Sequence, residues 1–158
     1  TGNLDFRTRD MVAQVARILI DGKPLDVYVT HLYMSRGDDS LRLFQVQQLL
    51  AWIDARNDVS DCIVCGDFNA TLDMPSAALM ASRFRPSQNS PTAFTPLAGP
   101  DGAISHPYWP RMDRCIDYIW TTGAIATVAS GVCFDQPDST DPSLWPSDHA
   151  GVWADLEF

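Results

Sequence analysis

Glutamate and lysine are almost absent from this chain of 158 residues. There is one Glu, Glu157, and one Lys, Lys23, against nineteen Asp and ten Arg. The formal net charge is −9. That balance argues against a large basic face for duplex nucleic acid, because such binding rests on neutralising phosphates. It leaves room for a local Arg cluster, or for a metal ion doing the same work. Long apolar runs are also lacking: no stretch approaches the ~18 uninterrupted apolar residues of a membrane-spanning helix, so no transmembrane segment is expected. The four cysteines, Cys62, Cys65, Cys115 and Cys133, are too few for a disulfide scaffold at this size. Cys62 and Cys65 have C-x-x-C spacing, but within DCIVCGDF they fall on a short apolar strand. Positions three apart on a strand face opposite sides, so the pair reads as two small buried hydrophobes rather than a redox or zinc site. Nothing in the sequence fixes the compartment.

What remains is ordinary for a folded domain, with 46% apolar and 20% charged residues, and residues 1–158 read as one domain. Residues 11–20 and 25–31 read as strands, joined at Asp21-Gly22, a tight-turn signal because Gly supplies a positive φ. Leu43, Val46, Leu50 and Ile53 recur at spacings of three and four, with Leu49 and Trp52 widening the stripe. This predicts a helix over 40–56, with Asp39 or Ser40 as its cap. A strand at 62–65 and a short helix over 76–82, capped by Asp73 and started by Pro75, come next. Residues 84–114 are rich in Pro, Ser, Gly and Asn and read as loops with one short strand at 92–95. Strands at 114–120, 126–134 and 151–158 complete an α/β mixture with some antiparallel pairing.

Ionisable side chains gather at strand ends, where loops on a rigid sheet build sites. His31 ends the second strand. Gly66-Asp67-Phe68-Asn69 ends the third; extended geometry puts Asp67 and Asn69 on one side. A carboxylate and an uncharged amide there suit a phosphoryl centre, whereas the same residues also make ordinary turns. Asn69-Ala70-Thr71 matches a glycosylation sequon by accident of that motif. Asp117 lies within the apolar strand RCIDYIW, and a buried carboxylate needs a partner. A histidine is the economical one, because the pair orients an imidazole and raises its basicity; Arg114 or Arg111 is the competitor. Ser147-Asp148-His149 offers a carboxylate and an imidazole just before the last strand. His106 reads as surface.

Together and in this order, Thr30-His31-Leu32, Arg42 with Gln45, Gly66-Asp67-Phe68-Asn69, Ile116-Asp117-Tyr118-Ile119 and Ser147-Asp148-His149 resemble the endonuclease/exonuclease/phosphatase superfamily, from about residue 11 to the C-terminus. The resemblance implies a four-layered α/β sandwich of two mixed sheets flanked by helices. It implies hydrolysis of a phosphoester with Mg²⁺, or Mn²⁺ as the alternative. It makes His149 the base or phosphate-contacting imidazole and Asp117 its orienting partner. Asp67 positions water or metal, Asn69 donates to the phosphate, Asp148 ligates the metal, and His31 contacts or protonates the scissile region. The substrate would be a nucleic acid, a nucleotide or a phospholipid headgroup. Arg36, Arg111 and Arg114 lie near the motifs and could grip its phosphates; Trp109 and Trp145 could stack on a base, or simply anchor loops.

One departure stands out. The family uses a Glu metal ligand and an Asn upstream of these motifs, and Glu157 and Asn3 are in the wrong places. Residues 1–158 are therefore expected to be the C-terminal portion of a longer domain. Alone they would make a poor hydrolase with exposed apolar surface, pairing with a missing N-terminal segment or a second chain. The competing reading is a non-catalytic interaction module. A Ser-His-Asp acyl hydrolase lacks a G-x-S-x-G elbow, and a three-His zinc site lacks ligand spacing.

Overall fold

The computed structural model describes residues 1–6, 11–34, 38–94, 112–141, 144 and 146–158. In chain order the elements are β1 (Gly2–Asp5), β2 (Val12–Ile20), β3 (Lys23–His31), α1 (Ser40–Ala55), β4 (Cys62–Asp67), α2 (Pro75–Ala81), β5 (Arg85–Pro86), β6 (Ala93–Phe94), β7 (Met112–Arg114), β8 (Asp117–Thr121), β9 (Ala126–Cys133) and β10 (Gly151–Glu157). Six strands form one mixed sheet in the order β1-β2-β3-β4-β8-β5, while β9 pairs with β10 and β6 with β7. Asp21 (φ 50°) and Gly22 (φ 81°) make the β2–β3 hairpin turn, both central residues having the positive φ of a type I′ turn. β3 and β4 run parallel. Parallel neighbours need a crossover, and α1 provides it.

The core lies between the helices and one face of the six-stranded sheet. Tyr28, Val64, Tyr118 and Trp120 from the sheet meet Val46, Leu49 and Leu50 of α1 and Met80 of α2. Residues of opposite parity, among them Val12, Ile18, Ile20 and Val29, point the other way and are exposed. Cys62 is buried, Cys65 is half-buried, and all four thiols are free; burial pushes the Cys62 thiol up to about 12.

Several elements differ from the sequence expectation. β1 and the two-residue β5 were not anticipated; short strands carry little periodicity. The expected continuous strand at 114–120 breaks at Cys115-Ile116, because β7 pairs with β6 while β8 pairs with β4 and β5. Asp117 thus opens a strand rather than sitting inside one. Asp39 is the α1 N-cap residue, but its carboxylate makes no capping bond there. It accepts instead from Ser76 N–H (2.6 Å), Ser76 O–H (2.8 Å) and Arg42 Nε (2.7 Å). Asp39 therefore caps α2 from across the fold, and the residue before α2 is Met74, not Asp73. The buried stripe of α1 includes two polar residues, Arg42 and Gln45. Gln45 Oε1 accepts from Tyr33 N–H (3.0 Å), and Arg42 Nη1 lies 3.4 Å from the Tyr33 carbonyl. Both fix the chain just beyond His31.

Gly66 is the tightest point of the sheet. Its φ is +138°, and a Cβ there would sit 1.8 Å from the Thr30 carbonyl oxygen. Main chain cannot yield as a flexible side chain can. Gly66→Ala is therefore expected to cost about 3 kcal/mol or more, read by chemical denaturation; a stability within about 0.5 kcal/mol of the parent would contradict this packing.

Candidate active site

Strand register assembles the site. His31 is the Cα partner of Asp67 across β3–β4, and Asp67 is the partner of Asp117 across β4–β8. Three residues far apart in sequence thus lie in one row across three adjacent strands, at the same end of the sheet. Beyond β4 the chain turns sharply. Phe68 is fully buried and packs edge-on against Tyr118 (5.8 Å between centroids) and Trp120 (5.7 Å). With Phe68 pinned inward, Asp67 and Asn69 both stay on the site side. Asn69 takes φ 50°, a left-handed conformation that Asn tolerates better than most residues. Main-chain bonds lock this corner, from Leu32 N–H to Asp67 O and from Phe68 N–H to Ile116 O, both 2.8 Å.

The side chains meet as follows. His149 Nδ1 donates to Asp117 Oδ2 at 2.8 Å; a carboxylate accepts only, so the proton belongs to the nitrogen. Asn69 Nδ2 donates to the Leu32 carbonyl (2.9 Å) and to Asp67 Oδ2 (3.2 Å), and its main-chain N–H donates to Asp67 Oδ1 (2.7 Å). His31 Nε2 lies 3.4 Å from Asp67 Oδ2. Asp67, Asp117 and His149 offer ligand atoms all within 4.8 Å of one another. Burial, and then the neighbouring Asp117 charge, push the Asp67 carboxyl above its ordinary value. The hydrogen bond to Asp117 raises the His149 imidazole above its own, against the opposing effect of burial.

Of the residues singled out in the sequence, His31, Asp67, Asn69, Asp117 and His149 come together. Asp117 takes the histidine partner. The Arg114 side chain is half-buried, and its Nε is buried without a hydrogen-bond partner. Asp148 is exposed and accepts from the Ser147 hydroxyl at 3.3 Å; it lies outside the three-residue group. Glu157 is exposed near the end of β10. Arg36, Arg111, His106, Trp109 and Trp145 lie outside the described residues. The sequence reading missed Thr92 and Gln88, which hold the Asp117 main chain. Thr92 stands in a Pro- and Ser-rich stretch where nothing marks it, and Gln88 likewise.

A family model described as the Endonuclease/Exonuclease/phosphatase family matches residues 4–149. The chain belongs to this family. Its members are phosphoester hydrolases, and the paired imidazole and carboxylates sit at the motifs that carried the resemblance. No curated protein matches the sequence. Solved structures share the fold. The human Nocturnin catalytic domain with bound sulfate superposes at a TM-score of 0.74 with 22% identity, over 99% of this chain and 58% of that one. A Bacteroides thetaiotaomicron mannosyl-6-phosphatase gives 0.70 with 16% identity, over 94% and 57%. D. rerio TDP2 complexed with single strand DNA product gives 0.68 with 14% identity, over 94% and 62%. This chain thus spans less than two thirds of the length of each of these structures.

The raised His149 value has a thermodynamic consequence. A group whose proton is held more tightly in the folded state contributes stability fully present below its unfolded value, here the ordinary 6.5, and loses it as pH rises through the folded value. Asp117→Asn is expected to bring the His149 pKa down and to remove that contribution. An NMR titration of the ring protons checks this; an unchanged midpoint would contradict the assigned pairing.

Proposed function

We propose that this end of the sheet hydrolyses a phosphoester with the help of a divalent cation. The observation that carries the reading is the 2.8 Å His149–Asp117 bond beside the half-buried Asp67 carboxyl. Two carboxylates forced together by strand register repel each other, and the upward push of Asp117 on Asp67 is that repulsion. A hard cation relieves it, and oxygen donors suit Mg²⁺ or Mn²⁺. The donor set therefore fits a divalent ion. Asp67 and Asp117 would hold it, with Asp148 as a further oxygen ligand from the adjoining loop. When bound, such an ion supplies positive charge that stabilises the phosphate oxygens as the reaction proceeds.

The protein's own groups account for the proton movements. Asp67 orients a water and takes its proton as the water oxygen bonds to phosphorus. The phosphorus–oxygen bond to the leaving group then breaks, and the leaving oxygen takes a proton. His149 is held in the Nδ1–H tautomer by Asp117, which leaves Nε2 to face the phosphate. His31, with a side chain 62% exposed, is placed to touch or protonate the leaving group. Asn69 holds Asp67: both amide N–H bonds are engaged, and donation to a phosphate oxygen requires releasing one of them. The Arg114 guanidinium, with its partnerless Nε, is a candidate phosphate grip, together with Arg36 and Arg111 by their place in sequence.

The substrate class is a phosphoester of a nucleic acid, a nucleotide or a phosphorylated headgroup. Because the related structures are longer than the matched segment, the assay is run on the protein at its full natural length. Hydrolysis of bis-p-nitrophenyl phosphate is expected to require Mg²⁺ or Mn²⁺. His149→Ala and Asp67→Ala are each expected to lower it by about 10²- to 10⁴-fold. Activity that ignores both the metal and the two substitutions would overturn the reading.

A further inference from the structure

Asp117 and His149 do not sit on paired strands. Asp117 opens β8 in the six-stranded sheet, and His149 precedes β10 in the two-stranded sheet. A 2.8 Å hydrogen bond between them therefore needs something to fix one main chain against the other. Thr92 does so on both sides. Its hydroxyl accepts from the N–H groups of Ile116 (3.1 Å) and Asp117 (3.2 Å). The same oxygen lies 3.4 Å from the Arg114 carbonyl, where its hydrogen can go. One hydroxyl thus uses its donor and both acceptor sites, at the break between β7 and β8. The Thr92 N–H donates to the Arg114 carbonyl at 2.7 Å, and the Thr92 carbonyl accepts from Ala150 N–H at 2.7 Å. The next residue, Ala93, forms an antiparallel bridge with His149. Thr92 is fully buried, so water does not substitute for these bonds. Gln88 Nε2 donates to the Asp117 carbonyl at 3.1 Å and steadies that peptide from its other end.

We propose that Thr92 is the positioning residue of the site: its hydroxyl holds the Asp117 main chain while its peptide holds the strand of His149, and the imidazole–carboxylate bond depends on the two being held together. The Thr92 hydrogen bonds run to main chain and not to the ring or the carboxylate, so it acts through them. This rests on the reading of Asp117 and His149 as the working pair, because positioning matters where a small misplacement weakens chemistry. The choice of residue is specific. Ser keeps the hydroxyl. Val keeps the shape but strands two buried N–H groups, which costs more than removing both partners of a bond. Ala removes the hydroxyl without replacing its bulk.

The test is NMR of the ¹⁵N-labelled protein without substrate or metal, reading the His149 Nδ1–H resonance and the ring tautomer. The parent and Thr92→Ser are expected to show a protected Nδ1–H signal and a single tautomer. Thr92→Val is expected to lose the signal to exchange and to show mixed tautomers, with the amide spectrum elsewhere unchanged. If Thr92→Val fails to fold, Thr92→Ala is read in the same way. A folded Val or Ala variant with the parental signal overturns the proposal. So does failure of Thr92→Ser to keep the signal, or loss of folding in both Val and Ala, which would make Thr92 a support of the whole fold. Hydrolysis is not read in this experiment. Full activity of His149→Ala would remove the hydrolase reading and leave the positioning result standing.

Discussion

Two carboxylates set opposite each other on one rung of a sheet, Asp67 and Asp117, are the constraint on which the rest of this structure depends. Register alone puts them there, and partial burial keeps water from screening them fully. Left alone, such a pair drives one member to hold a proton. The surrounding structure responds with partners. Asp117 accepts from the His149 imidazole, and Asp67 accepts from two N–H groups of Asn69. The negative charge that remains is what a divalent ion would bind, and the ion in turn would draw a phosphate.

The scaffold serves this rung at several points. Gly66 lets β4 approach the Thr30 carbonyl closely enough for the sheet to continue up to Asp67. Phe68 anchors the corner by burying its ring against two aromatic neighbours, so the polar residues on either side keep their direction. Arg42 and Gln45 sit on the inward face of α1, where apolar side chains are the rule. Their bonds to the Tyr33 main chain make that loop part of the core. Asp39 ties the start of α2 to the start of α1 through Ser76. These are local choices that stabilise a fold while fixing a site, and a purely apolar core could not supply the second function.

The strand ends bearing His31, Asp67 and His149 were legible in the sequence because each follows or precedes a short apolar run. The helix over 40–55 was legible from its three-and-four spacing, although Arg42 and Gln45 on the buried face dilute it. The histidine partner of Asp117 was legible as a chemical need, without its distance. Thr92 was not legible. A threonine in a Pro- and Ser-rich stretch has no period and no motif, and its role exists only once β7 and β8 part. The same holds for Asp39, whose expected local cap became a long-range one, because its carboxylate takes two donors from Ser76 and a third from the Arg42 side chain rather than a main-chain N–H of α1.

The proposed account, consistent with membership of the endonuclease/exonuclease/phosphatase family and with the geometry of the rung, is a hydrolytic centre assembled around a divalent ion by strand register. Anomalous diffraction from crystals grown with saturating Mn²⁺ tests it most directly. The account predicts a peak at bonding distance from a carboxylate oxygen of Asp67 or Asp117, and its loss in Asp67→Ala. Well-ordered crystals with no peak at that rung, or a peak unchanged in Asp67→Ala, would contradict it.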